Sequence, residues 1–257
     1  MRNFQNMLKK TGAAVVAAAM IVTMGTGAVT AQAKNTLPTY TVSTASTYTD
    51  KQNSKNMEAS VKIPQVTITG TNGKKMTAAS KKLNLAISKY QKETIQNYKQ
   101  DVAAIKEGTS GNETVSSTYK VIKNNRIFSL RIDTVLSMGS SHNTVKIFNI
   151  DKKTGKLLSL KNLFRTGSDY STVLSDNIKS QMRAQMKKDS SVIYFIDSDS
   201  ADDFSKITDT ANFYINKNKE LTIVFDEAEV APSSMGTVEF SIPVNVISDI
   251  AVAGYLK

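Results

Sequence analysis

The chain has 257 residues, a formal net charge of +11, one His and neither Cys nor Trp. Without Cys there can be no disulfide scaffold, thiol nucleophile, iron–sulfur cluster, Cys-built zinc site or lipoprotein anchor, and one His excludes multi-His metal centres. With 40% hydrophobic and 21% charged residues the chain is of ordinary globular type, neither disordered nor collagenous.

Residues 1–33 read as a secretory signal peptide. Arg2, Lys9 and Lys10 form a basic start, the run from Gly12 to Val29 is uncharged, and Ala31-Gln32-Ala33 offers a cleavage site. The run approaches the ~20 residues that cross a bilayer, so a retained anchor is the alternative. The mature chain is expected outside the cell, secreted or wall-associated, and at the membrane only if the segment is retained. Residues 34–56 form a Ser/Thr-rich leader. Within it, seven of the eleven residues from Thr39 to Thr49 are Ser or Thr. They alternate without a strongly apolar face, which fits either a flexible leader or an edge strand.

An N-terminal half (57–150) and a C-terminal half (151–257) follow, packed as one unit. Met57–Thr69 alternates around Val61, Ile63, Val66 and Ile68, and Pro64 makes it an edge or bulged strand. Met76, Ala79, Leu83, Ile87, Tyr90, Thr94, Tyr98, Val102 and Ile105 step by three or four and predict one long helix. Its lysines form a solvated outer face, not a nucleic-acid surface. Strands are expected over Val115–Ile122, Arg126–Leu136 and Thr144–Ile150. A second helix is expected from about Asp169 to Lys188, capped by Ser168 or Asp169, with Tyr170, Val173, Leu174, Ile178, Met182 and Met186 inward. Short strands at Asn212–Ile215, Leu221–Phe225 and Thr237–Ile242 close the chain. The order lacks regular βαβ alternation. It predicts an α+β fold, a mainly antiparallel sheet covered by one long and one shorter helix.

Charge is divided along the chain. Residues 1–188 hold 29 Lys+Arg and 10 Asp+Glu, whereas residues 189–257 hold 4 and 12. The basic part suits anionic wall polymers. The acidic part either faces a cationic ligand or neutralises the basic half across the fold.

Candidate chemistry is thin. Asp197, Asp199, Asp202 and Asp203 resemble a calcium loop, but the sixth-position Gly and distal Glu are missing, so a solvated acidic loop is the reading. Asp226, Glu227 and Glu229 follow a strand, where paired carboxylates could serve acid/base work; a cell-wall hydrolase using Asp226 and Glu229 is the alternative function. His142, in Gly139-Ser140-Ser141-His142 between two strands, reads as a turn-ordering residue rather than a catalytic base. No metal or cofactor is expected.

Three segments, taken together, resemble a known family. They are VKIPQVTIT before the long helix, MGSSHNTVKIFNIDKKTGKLLSLKNLF at 138–164, and FYINKNKELTIVFDEAEVAPSSMGTVEFSIP at 213–243. Over roughly 57–248 the chain is similar to the extracellular domain of anti-sigma-V factors, which also occurs beside the catalytic domain of certain peptidoglycan deacetylases. The resemblance implies a secreted, non-enzymatic α+β binding domain whose partner is a cationic protein such as lysozyme or an anionic wall polymer, with no nucleic acid. The positions it implies for ligand binding are Glu229, Pro232, Ser233, Ser234 and Met235, with Ser140, Ser141 and His142 as a second loop. Two departures matter: the family's aromatic beside the A-P segment is absent from Glu227–Ser234, and no cytoplasmic anti-sigma segment or deacetylase domain is expected in the chain.

Overall fold

A computed structural model describes residues 37–256 apart from 107, 125 and 199. The expected signal peptide, the first three residues of the expected leader and Asp199 lie outside the described residues. The described elements are β1 (Thr39–Gln52), β2 (Met57–Thr69), α1 (Thr77–Ala104), β3 (Glu113–Lys123), β4 (Ile127–Met138), β5 (Ser140–Asp151), β6 (Leu157–Leu158), α2 (Tyr170–Lys188), β7 (Asn212–Ile215), β8 (Leu221–Phe225), β9 (Val238–Ile242) and α3 (Val244–Ile247). The fold is α+β and mainly antiparallel, but its strands form two sheets, ordered β1-β2-β3-β4-β5-β6 and β7-β8-β9.

The Ser/Thr-rich stretch is the edge strand β1 and not a leader from Thr39 onward. Its β-branched residues pair antiparallel with β2 from Thr39↔Thr69 to Gln52↔Met57, with a bulge at Ala45. That makes β2 an inner strand, contrary to the edge placement expected from Pro64. The proline is tolerated because β3 pairs with β2 only from Met57 to Val61. Past that point α1 takes over the open edge. Asn84 accepts from the Val66 N–H at 2.7 Å and donates to its carbonyl at 2.9 Å, Ser80 accepts from the Ile68 N–H, and Gln91 donates to the Lys62 carbonyl. Pro64 shares the register of these residues, at the point where no partner calls for an N–H.

The long helix forms because its apolar residues recur on one face, and Leu83, Ile87 and Tyr98 are buried on the sheet. It joins β2 to β3 as a crossover, so this pair is parallel. One βαβ unit therefore sits inside the otherwise antiparallel order. From Ile127 to Ile132 β4 is buried on both faces. Phe128, Leu130 and Ile132 pack with α1, whereas Ile127 joins the core around α2.

In the C-terminal part, Asp169 caps α2 by accepting from the Thr172 N–H at 3.2 Å. Leu174, Ile178 and Met182 then pack with Ile223, Phe225 and Phe240 of the small sheet. Val145, Ile147, Val224 and Tyr214 pack together where the two sheets meet. No described helix is long and apolar enough to cross a membrane.

Candidate functional site

Both predicted loops adjoin the junction between the sheets. Ser140, Ser141 and His142 are strand residues, not a turn: Met138 pairs with Ser140, and Leu136 with His142. Gly139 alone reverses the chain, at φ 79°, a conformation that its missing Cβ permits. His142 is half-buried in β5, so the turn-ordering role expected of it does not hold. Ser140 and Ser141 are exposed.

Beyond its short pairing with β6, β5 has an open edge, and the acidic turn after β8 closes it. The Val145 N–H donates to Asp226 at 2.7 Å, and the Asn143 N–H donates to Glu227 at 2.9 Å. The Glu227 N–H returns a bond to the Asn143 carbonyl. Asn212 continues the row, accepting from the Ile147 N–H and donating to the Val145 carbonyl. Side chains thus replace a missing strand along β5. Ala228 is held at φ 61° inside this clasp, a strained conformation for a residue with a Cβ. Replacing Asn212 by Ala is expected to lower stability by about 2 kcal/mol, since two backbone groups lose their partner. Urea denaturation measures it, and an unchanged midpoint would remove Asn212 from the clasp.

Asp226, Glu227 and Glu229, the candidate acid/base carboxylates, therefore bind backbone. Glu229 is exposed and accepts from the Asp226 N–H at 2.8 Å. Burial, with a smaller contribution from Glu229, pushes the Asp226 carboxyl up to about 7, although its bond from Val145 works the other way.

Past Glu229 the chain buries Val230 and Ala231, and the Val230 carbonyl accepts from the Phe195 N–H. Pro232 opens a single helical turn at Ser233–Met235, with both serines exposed and Met235 packed on the core around α2. Gly236 ends the turn at φ 63°, ψ −150°, a region open only to glycine. Glu229 and Pro232–Met235 belong to one connected surface segment, whose beginning is hydrogen-bonded to β5 one residue beyond His142.

Two described carboxylates of the 197–203 loop are tied to groups of the protein itself. Arg183 holds Asp197 through two bonds of 2.7 Å, and Asp203 accepts from the Ser198 N–H and hydroxyl. Both carboxyls are drawn below the ordinary range by those bonds. The loop borders an open depression of about 500 Å³ lined by Lys179, Ile196 and Phe204. Among the described residues no group of three or more His, Asp or Glu is placed to hold a metal.

Three residues passed over in the sequence matter here. Arg131 of β4, with 6% of its side chain exposed, pairs with Asp133 at 2.7 Å and with Glu239 of β9, tying the two sheets together. Glu239 also accepts from the Tyr214 hydroxyl. Glu113, 1% exposed at the start of β3, has no hydrogen-bond partner for either carboxylate oxygen among the described residues. Burial, reinforced by Asp101, pushes it up to about 7. Asn212 completes the clasp.

The fold and this junction define an α+β domain of two packed sheets. Residues 161–245 match the family described as "Protein of unknown function (DUF3298)". Two solved DUF3298 structures share the fold. One, from Pseudomonas aeruginosa PAO1, has a TM-score of 0.57 at 13% identity and covers 86% of this chain and 97% of its own. The other, from Bacteroides fragilis NCTC 9343, has a TM-score of 0.57 at 16% identity, covering 84% and 94%. In sequence the chain is similar to the anti-sigma-V factor RsiV of Bacillus subtilis strain 168, with 38% identity over 176 residues, or 68% of this chain and 61% of that protein. It therefore contains an RsiV-like domain, and it spans about three fifths of the relative's length.

Proposed function

We propose that the chain is an exported, non-enzymatic binding domain that recognises a protein outside the membrane, with a cationic lysozyme-like hydrolase as its ligand. The 38% identity over 176 residues to an anti-sigma-V factor carries this reading. The segment of residues 1–33 supports export. The carboxylates of the junction support the non-enzymatic part, because Asp226 and Glu227 are engaged by backbone N–H groups rather than aimed at a substrate. The ligand surface comprises Ser140, Ser141 and His142 on β5 together with Glu229, Pro232, Ser233, Ser234 and Met235.

Electrostatics contributes less than the charge division implies. Asp197, Asp209 and Glu239 of the acidic third pair with Arg183, Lys161 and Arg131 within the fold. Recognition would then rest on the shape of the 229–235 segment more than on net charge. Calorimetric titration with lysozyme at low and moderate salt is expected to give heat under both conditions, and Ser234→Trp or Met235→Glu to weaken it about ten-fold or more. Absence of heat with the native chain would overturn the reading.

A further inference from the structure

We propose that the outward face of α1 binds a linear polyphosphodiester, an anionic polymer without bases. The helix carries Lys81, Lys82, Lys89, Lys92 and Lys99, all exposed. At 3.6 residues per turn these five fall within an arc of about 100°. That arc lies opposite the face burying Leu83, Ile87, Gln91 and Tyr98. With a rise of 1.5 Å per residue, the row from Lys81 to Lys99 is about 27 Å long.

The acids of the helix itself, Glu93 and Asp101, lie half-buried off this arc. Glu93 acts on Lys146 of β5 and Asp101 on Glu113 of β3. Among the described residues Lys81, Lys89, Lys92 and Lys99 enter no ion pair, whereas Arg131, Arg183, Lys161 and Lys206 are all paired. Lys99 stands over the Tyr48 ring at 5.2 Å, a contact that leaves its charge available.

What the face lacks defines the occupant. Lys81, Lys89, Lys92 and Lys99 follow one another at axial steps of about 12, 4.5 and 10.5 Å, too far apart for one small anion to reach them all. No aromatic side chain lies on the arc, so nothing there stacks on bases. Leu85, 72% exposed, is its one large apolar residue, too little to anchor the helix in a bilayer. Mobile ammonium groups on long stems suit a flexible chain of repeating phosphates, held by released counterions.

Poly(glycerol phosphate) titrated into the full chain tests this. Binding is expected at 50 mM salt and weakens by about 100-fold at 200 mM, as roughly four phosphate contacts require. The variant K81E/K89E/K92E, and more mildly K81Q/K89Q/K92Q, should lose about ten-fold or more, whereas K120E/K153E/K217E, the same charge change elsewhere, keeps affinity within about two-fold. Unchanged melting confirms that the variants fold. The proposal fails if the polymer does not bind at 50 mM salt, if both Glu variants lose equally, or if phosphatidylglycerol vesicles bind more tightly than the polymer. Lysozyme titration of the same variants is expected to be unaltered, so a loss there bears on the protein-binding reading alone.

Discussion

Glu113→Gln is expected to be more stable than the native protein at pH 8 and indistinguishable from it at pH 4. The carboxyl is buried with both oxygens unpartnered among the described residues and held up to about 7, against an ordinary value of 4.5. Between those values the unfolded chain releases its proton while the folded chain keeps it. The folded state therefore binds the extra proton, and stability falls as pH rises through that window. The shift corresponds to about 3 kcal/mol. Gln cannot ionise, so the variant loses the slope. Asp226, also held up to about 7, acts with the same sign, and Asp226→Asn keeps an acceptor for the Val145 N–H. Asp151 opposes both. Burial pushes it up, but bonds from Arg126, Tyr255 and Lys153 outweigh that and hold it low, so its contribution is lost only in stronger acid. Urea denaturation from pH 3 to 8 should show a maximum on the acid side of neutrality. A native profile rising steadily to pH 8 would contradict the burial of a protonated Glu113.

Arg131→Ala is expected to cost about 3 kcal/mol, since it strips two carboxylates of a largely buried partner. The guanidinium joins Asp133 on its own strand to Glu239 on the small sheet, and its planar fork serves both at once. Arg131→Lys should recover less than about half of the loss. In a double-mutant cycle with Glu239→Gln, a coupling above about 1 kcal/mol marks a true inter-sheet tie. A coupling near zero would show that solvent screens Glu239, whose side chain is 34% exposed.

Much of the fold was legible because it is periodic. Leu83, Ile87 and Tyr98 announce α1, Leu174, Ile178 and Met182 announce α2, and alternation marks β2 and β9. The parallel β2–β3 pair was not legible, because a helix joins two strands without saying that they become neighbours. How the two sheets meet depends on tertiary contacts such as Arg131–Glu239, which no local pattern announces. The candidate site was readable only as segments. Asp226 and Glu227 look like paired carboxylates in any sequence window. Their function on Val145 and Asn143, residues 81 and 84 positions away, has no local trace. Gln91 was a missed clue: a polar residue at a helix position facing the core, fully buried on Lys62 and Ser117.

The side-chain clasp on β5 also orders events in time. A chain emerging from its N-terminus completes β5 long before the turn at Asp226 exists. Until that turn docks, the N–H groups of Asn143, Val145 and Ile147 form a bare strand edge, ready to pair with another molecule. Chains cut short ahead of residue 226 should therefore aggregate even though the large sheet and α1 are fully encoded. The acidic turn is then a guard against misassembly, and its worth is greatest in the unfinished protein.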